Sequence, residues 1–564
     1  MVKRFSLNRT SFDLPLVIFV LSAAVGIWAA YNRQAAWVKF WLLIGAVLLF
    51  YAMAGQPRAK LWKIAGLMSG AGFLLAAYFL LTYNWQESPL PIRSINQLAL
   101  AWMRYRPYLP LPAPDTDLTG GVLAILIPFA ASYTGEYWQG PKKEKRAFLL
   151  ASLALIVMLV GLLLSGERVP GFTIVLLAGI GLWWKTSAFL MQLSHRTESR
   201  VQIAVFLFGL AVIAITALIL LLRAPGGILT VAESLPGPER VKSRAILDDN
   251  SLHLAGDFLY TGGGLNSFSG LYSQYILVIP YSFIDNSHNL FLEVLVEQGI
   301  FGFLALLVIW AGSIWFLIKE TFLSQVKDGL SSLRIAVLAS IFVAVVYAST
   351  EEILYGGWDT LLLFLLPGVA VALTAKAIKE PPTLKRWKLQ GGAAISALAL
   401  VGLAAFYRPI LAEGYADLGA VKMARIELTN FPTGNWEFEG SLKTLTPARD
   451  LFLKALQYDP TNRTANYRLG MMAMLYRDYA TAVSYLSRAN AADRHHRGIQ
   501  KALGYSLVWL GKYDQANQML AEISEAKDEM DVYTWWWRDQ GRPELGKNAA
   551  EMARLLNKLD FTKN

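Results

Sequence analysis

The sequence predicts an all-α, polytopic membrane protein of about 11–12 transmembrane helices, followed by a soluble helical-repeat module. Three observations predict it. Hydrophobic residues make up 55% of the 564 and charged residues only 16%, where a soluble domain carries about 25% charged. The first 407 residues hold eleven apolar runs of membrane-crossing length. Beyond residue 408 the composition turns soluble and a 34-residue period sets in.

The apolar runs fall at 14–31, 37–54, 61–82, 118–134, 147–165, 170–190, 201–222, 299–318, 335–349, 359–376 and 390–407. A helix needs about 20 residues, within roughly 17–25, to cross the hydrocarbon. The first run follows "MVKRFSLNRT", lacks a small-residue cleavage site and precedes further spans, so it reads as an anchor rather than a removable signal peptide. The 18 Trp and 24 Tyr suit a chain with many water–lipid boundaries.

Orientation follows from Lys and Arg. Alternate connections (the N-terminus, 55–63, "PKKEKR", 185–200, 319–334 and 376–388) carry 21, and the opposite set carries nine. The rich set is expected in the cytoplasm. The net charge of +11 is thereby assigned to lipid headgroups and not to nucleic acid. With an odd number of spans, residues 408–564 are expected outside the cytoplasm, as are two long loops, 83–117 and 223–298. The expected domains are a transmembrane catalytic domain, 1–407, and an extracytoplasmic repeat domain, 408–564.

In the tail, Leu469-Gly470 recurs as Leu503-Gly504, Tyr479 as Tyr513, Ala482 as Ala516 and Leu486 as Leu520. One period upstream stand Ala448, Phe452, Ala455 and Pro460. This small–large alternation at 34 residues is the tetratricopeptide pattern, in which alanines let paired helices approach and bulky residues fill between them. Such stacks offer a concave surface, so the tail is read either as a cap on the membrane domain or as a dock for a partner or acceptor. His495-His496 reads as a solvated inter-repeat loop.

The absence of Cys excludes disulfides, thiolate nucleophiles and Cys-ligated metals. "TGGGLNSF" at 261–268 lacks the Lys-Ser/Thr of a phosphate-binding loop. Its glycines suit backbone approach to a ligand. Charged groups are scarce in mid-span, where an ion-coupled transporter keeps them. They gather instead at the outer ends: Glu167-Arg168, Arg244, His288, Glu351-Glu352 and Asp359.

His288 is one of five histidines and precedes "NLFLEVLVEQG", which reads as a partly amphipathic helix leading into the span at 299, with Glu293 and Glu297 on one face. Imidazole is the side chain best suited to accept a proton near neutral pH. The bland alternative is an interfacial histidine bonded to a loop carbonyl. Arg168 offers a guanidinium matched to phosphate oxygens, with snorkelling to lipid as its bland reading, whereas Arg244 is one of three basic residues in five and individually unremarkable.

His288-Asn289, nine residues, Gly299, two residues and Gly302 resembles the His-Asn-x9-Gly-x-x-Gly signature of the O-antigen ligase and O-antigen polymerase superfamily. Arg244 followed by "FLYTGGGLNSF", and Arg168 in a short outer loop, match that family's two arginine segments in order. The loop here reads Ser165-Gly166-Glu167-Arg168 where the family usually has Ser-Arg-Gly, and Asp248 stands where an aromatic is often found. The resemblance covers about 118–376.

It implies a GT-C-like glycosyltransferase of the bacterial cytoplasmic membrane, independent of nucleotide and metal and without a cofactor. The donor would be a polyprenyl-diphosphate-linked saccharide, and the acceptor a glycan, lipid or protein hydroxyl. His288, Arg168 and Arg244 would be catalytic; Arg168, Arg244, Asn289 and Glu297 would bind substrate; Gly264, Gly299 and Gly302 would be structural. A polysaccharide ligase or polymerase is favoured over a protein O-oligosaccharyltransferase, because His-Asn stands without the preceding histidine of many protein-glycosylating relatives. A flippase is the alternative from another class. A protein partner is expected through the repeats.

Overall fold

The computed structural model describes residues 9–193, 238–374 and 405–563, apart from 91, 108, 110, 140–144, 279–283, 324–328, 353, 430 and 432–441. The expected spans at 201–222 and nearly all of 390–407 lie outside these. Every regular element among the described residues is helical.

The membrane half is built from α1 (Asp13–Ala29), α2 (Arg33–Ala54), α3 (Leu61–Thr82), α4 (Arg93–Tyr105), α5 (Thr116–Gln139), α6 (Lys145–Ser165), α7 (Arg168–Leu193), α8 (Pro238–Asp257), α9 (Phe268–Tyr272), α10 (Leu290–Ile318), α11 (Ser331–Ala348) and α12 (Leu365–Thr374). Among the described residues six helices are long and apolar enough to cross a membrane: α2, α3, α5, α6, α10 and α11. Three shorter apolar helices coincide with the first, sixth and tenth predicted runs. The protein is thus an all-helical, multi-pass membrane protein. Helix α4, inside the loop at 83–117, was not visible as an apolar run. It is amphipathic, and its Trp102 and the following Arg106 both donate to the carbonyl of Leu80 at the end of α3, at 2.8 and 2.7 Å.

Gly262–Leu265 passes between α1 and α10. The amides of Gly263 and Gly264 donate to Val296 and Glu297 carbonyls at 2.7 and 3.2 Å, and that of Leu265 to Gly26 at 3.0 Å. Gly264 has φ +107° and lies directly against the backbone of Ala29 and Ala30. A side chain there meets both a steric wall and an unfavourable backbone region. These glycines serve backbone-to-backbone packing, which corrects their reading as a ligand-approach loop. Gly299 breaks α10 at φ +68° and lets the amide of Ile300 reach Leu259 O at 2.8 Å. The segment 290–298 is the helix expected to lead into the span at 299, but its charged face is buried along with the apolar one: Leu290, Leu292, Glu293, Val294, Val296, Glu297 and Gln298 are all buried.

The repeat module pairs α13 (Tyr407–Glu427) with α14 (Thr446–Tyr458), α15 (Arg463–Leu475) with α16 (Tyr479–Ala492), α17 (Arg497–Trp509) with α18 (Tyr513–Leu520), and α19 (Ala526–Asp539) with α20 (Pro543–Lys563). The periodic residues do what the pattern demands. Gly470 lies against Leu486, and one period later Gly504 lies against Leu520. Ala448, Phe452, Ala482, Leu486, Ala516 and Leu520 are fully buried. His495 is exposed, but His496 is fully buried and caps α17, accepting from the Ile499 amide at 3.3 Å. The solvated-loop expectation therefore fails for His496, because the module packs its helix start against the membrane half.

Candidate active site

His288 sits in the turn before α10, held there by its neighbours. Asn286 Oδ1 accepts from the His288 amide at 3.0 Å. Asn289 caps α10, accepting from Phe291 N at 3.1 Å and Leu292 N at 3.3 Å. Between these two anchors His288 adopts φ +51°, a left-handed conformation rare for a non-glycine residue. Residues held this way cluster at functional sites.

The short connection after α11 carries Glu351, whose amide, like that of Thr350, donates to Tyr347 O at 2.9 Å. Its carboxylate joins two sequence-predicted residues. Glu351 Oε2 lies 2.8 Å from His288 Nδ1, and Oε1 lies 2.6 Å from Arg244 Nη2. Arg244 Nη1 also donates to Thr350 O. Burial pushes the Glu351 carboxyl up, but the hydrogen bonds from His288 and Arg244 outweigh it and hold it below the usual range. The adjacent Glu352 goes the other way. Burial, then the charge of Glu293, push it up to about 8. The His288 and Arg244 side chains remain 42% and 40% exposed, so both can meet a solute.

Arg168 is not drawn into this contact. It opens α7 with an exposed side chain beside Glu167. Glu167 Oε2 accepts from Tyr347 OH at 3.3 Å, so the same helix end that carries Glu351 also meets the Arg168 connection. Burial, then the hydrogen bond with Asp117, push Glu167 up to about 8, and the negative charge of Glu351 adds to the rise. An apolar groove of about 370 Å³ starts here, running between α4, α6 and α7. Ile92, Ile95, Leu159, Leu163, Ile174 and Val175 line it, with Glu167 and Arg168 as its polar end.

Glu297 faces inward. Its carboxylate pairs with Lys39 Nζ at 2.8 Å, and the two side chains are 1% and 8% exposed. The ammonium also stands 3.8 Å from the centre of the Tyr355 ring. Glu293, one turn earlier, accepts from the Ser287 amide at 3.0 Å and so fixes the approach to His288. Gly302 lies against Ser22 of α1, where a larger residue would part the helices. Among the described residues no cluster of three or more His, Asp and Glu could hold a metal.

The sequence places His288 and Arg244 in one outer loop and shows Glu351 only as a polar residue of a hairpin. Lys39 is inconspicuous in the sequence because it sits at the start of an apolar run. The signal that could have found it is its position two turns into α2, a costly place for an ammonium without a partner.

Fold and site together define a multi-pass helical membrane protein with an attached repeat module and an Arg–Glu–His cluster at one end of its bundle. Residues 153–307 match the O-antigen ligase family, and residues 473–531 match a tetratricopeptide-repeat family. The chain thus carries an O-antigen ligase domain followed by tetratricopeptide repeats. That family implies glycosyltransferase-type chemistry on lipid-linked glycans. The match includes Arg168, Arg244, His288, Asn289, Glu297, Gly299 and Gly302, and stops short of Glu351. Neither a search of curated proteins nor one of solved structures returned a match.

Proposed function

We propose that this protein transfers a glycan from a polyprenyl-diphosphate carrier to an acceptor hydroxyl on the non-cytoplasmic face of the membrane, as a polysaccharide ligase or polymerase. The observation that carries the reading is the shared carboxylate. With His288 Nδ1 donating to Glu351, the basic lone pair lies on Nε2, the nitrogen free to take the acceptor's proton. The acceptor oxygen then attacks the anomeric carbon as the bond to the diphosphate breaks. Polyprenyl diphosphate departs with the electron pair. Arg244, fixed by Glu351, and Arg168, at the polar end of the groove, are suited to stabilise that charge, and the groove suits the first isoprene units.

The donor already carries its leaving group, so the reading requires no nucleotide and no metal. The orientation rests on the Lys/Arg asymmetry, which also puts the repeat module outside the cytoplasm. The Lys39–Glu297 pair, about two turns in from the starts of α2 and α10, supports a static brace rather than a transport relay.

The test is transfer by the purified protein from a diphosphate-linked saccharide, read by product mass. His288→Ala should abolish transfer while leaving the fold intact; full activity in that variant would remove His288 from the chemistry. Arg168→Lys should retain little activity if two-point contact with diphosphate matters, and a wild-type rate would reduce Arg168 to lipid snorkelling. Gly171, on the groove wall, has open space where a side chain would project. Gly171→Phe should therefore raise KM for a long-chain donor and leave a short-chain donor unaffected; equal effects on both would take the isoprene units out of the groove.

A further inference from the structure

The first helices of a repeat stack line its concave face, where such modules take their ligands. In this chain that face is already covered, and the covering segment belongs to the membrane half. Tyr275 lies against α15 and α17: Tyr467 OH donates to its carbonyl at 2.7 Å, the Arg468 guanidinium stands 3.3 Å from its ring centre, and the Tyr275 carbonyl packs directly on Gly498. Tyr275 OH donates to Glu427 of α13 at 2.6 Å. Asp257, fully buried, accepts from Arg463, Arg468 and Thr464, each at 2.8 Å, and faces His496 at 3.9 Å. His253 Nδ1 lies 2.9 Å from Asp493, and Asp417 accepts from the Tyr260 and Thr261 amides at 2.6 and 3.2 Å.

We infer that the ligand of the repeat module's binding face is this chain's own loop, residues 253–278, and that the Asp257 clamp is a positioning device for Arg244. Asp257 ends α8 and Arg244 lies thirteen residues earlier on the same helix. A continuous helix transmits position over that span, about 20 Å. Fixing one end of α8 in the module therefore sets where the guanidinium meets Glu351. The module is part of the site's scaffold, and its concave face is closed to an outside partner while the loop occupies it. The inference rests on the proposed function only where lipid binding is the readout.

The test uses the full-length protein in lipid nanodiscs, with Asp257→Asn as the main variant and Arg463→Gln as a milder second should the first fail to fold. Amide exchange is followed across 243–252, and binding is measured with a glycan-free polyprenyl diphosphate. Unclamping should speed exchange around Arg244 while α16 and α18 keep their protection. If the aligned state falls to about a tenth of the molecules, the lipid's apparent affinity drops about tenfold. The chain has no native cysteine. A reducible thiol cross-linker joining His253→Cys to Asp493→Cys should therefore restore both properties in Asp257→Asn, and reduction should remove them again. A passive structural contact would not respond to the cross-link in this reversible way.

Unchanged exchange at 243–252 in both clamp variants would overturn the inference, as would a cross-link that forms and restores neither property. Failure of the two thiols to cross-link with Asp257 intact would contradict the packing itself. If the wild type binds no diphosphate lipid, the proposed function falls, and the exchange measurement still decides the clamp.

Discussion

At the residue scale, the site turns on one carboxylate serving two cations. Glu351 orients His288 and anchors Arg244, so its loss should act through both. Glu351→Gln keeps the shape but weakens two charge-assisted hydrogen bonds. Its transfer rate should fall between wild type and His288→Ala, with the activity profile against pH shifted. A rate equal to wild type with an unmoved profile would show that Glu351 does not position the imidazole. Losing a general base costs roughly 10²–10⁴-fold in rate, which sets the scale for His288→Ala. A second residue-scale prediction concerns the buried brace. Removing one partner of such an ion pair costs about 3–5 kcal/mol because the other is left charged and dry. Lys39→Met should lower the unfolding temperature, and Lys39→Met with Glu297→Leu should regain most of the loss. Additive losses in the double variant would contradict the pairing. His288 could be picked out from the sequence, since motif spacing and scarcity mark it, whereas Arg244 stood out only through the family resemblance. Glu351 could not be tied to either, because its partners lie 63 and 107 residues away and nothing local encodes that meeting.

At the element scale, the glycine stretch that follows α8 meets α1 and α10 through its backbone. Gly264→Ala should separate it from α1, since the added methyl strikes Ala29 and Ala30 at a φ that L-residues avoid. Faster amide exchange at 262–266 would register this, and unchanged exchange would contradict it. The clamp at the other end of the loop carries two histidines of opposite sign. The Asp493 hydrogen bond raises His253 above its ordinary value of 6.5, and Asp249 adds to the rise while burial and Arg463 oppose it. Its contribution is fully present below pH 6.5 and lost as pH rises through the higher folded value. Burial pushes His496 down to about 3, with Arg463 and His253 helping and Asp257 opposing. It is neutral in the fold, so stability is lost as pH falls from 6.5 toward 3. His253→Gln should therefore narrow the stability difference between pH 6 and pH 8, whereas His496→Gln should relieve the loss below pH 6; thermal unfolding of each variant across pH checks both signs. Helix α4 escaped the sequence reading because it is short and amphipathic, and a search for membrane-length apolar runs passes over such a helix.

At the scale of the whole molecule, two kinds of sequence periodicity built most of the picture. Long apolar runs made the spans legible, and the 34-residue alternation made the repeats legible, because both are local properties of the chain. The union of the two halves was not legible: Asp257, Tyr275 and Asp417 are ordinary residues until folding brings α8, α13 and α15 together. That union changes what truncation should do. Deleting 408–564 would expose the buried Asp257 and Tyr275, so donor binding should weaken along with acceptor use; an unaffected donor affinity would reduce the module to acceptor handling alone.

The central claim is that His288, Arg244 and Glu351 together move a glycan off a lipid diphosphate. It is tested most directly by incubating full-length protein with a polyprenyl-diphosphate saccharide and candidate glycan, lipid and peptide acceptors, then weighing the products. Wild type should yield a glycosylated acceptor and free polyprenyl diphosphate in equal amounts, and His288→Ala neither. Equal turnover by the two proteins, or acceptor glycosylation without release of the diphosphate lipid, would contradict the claim.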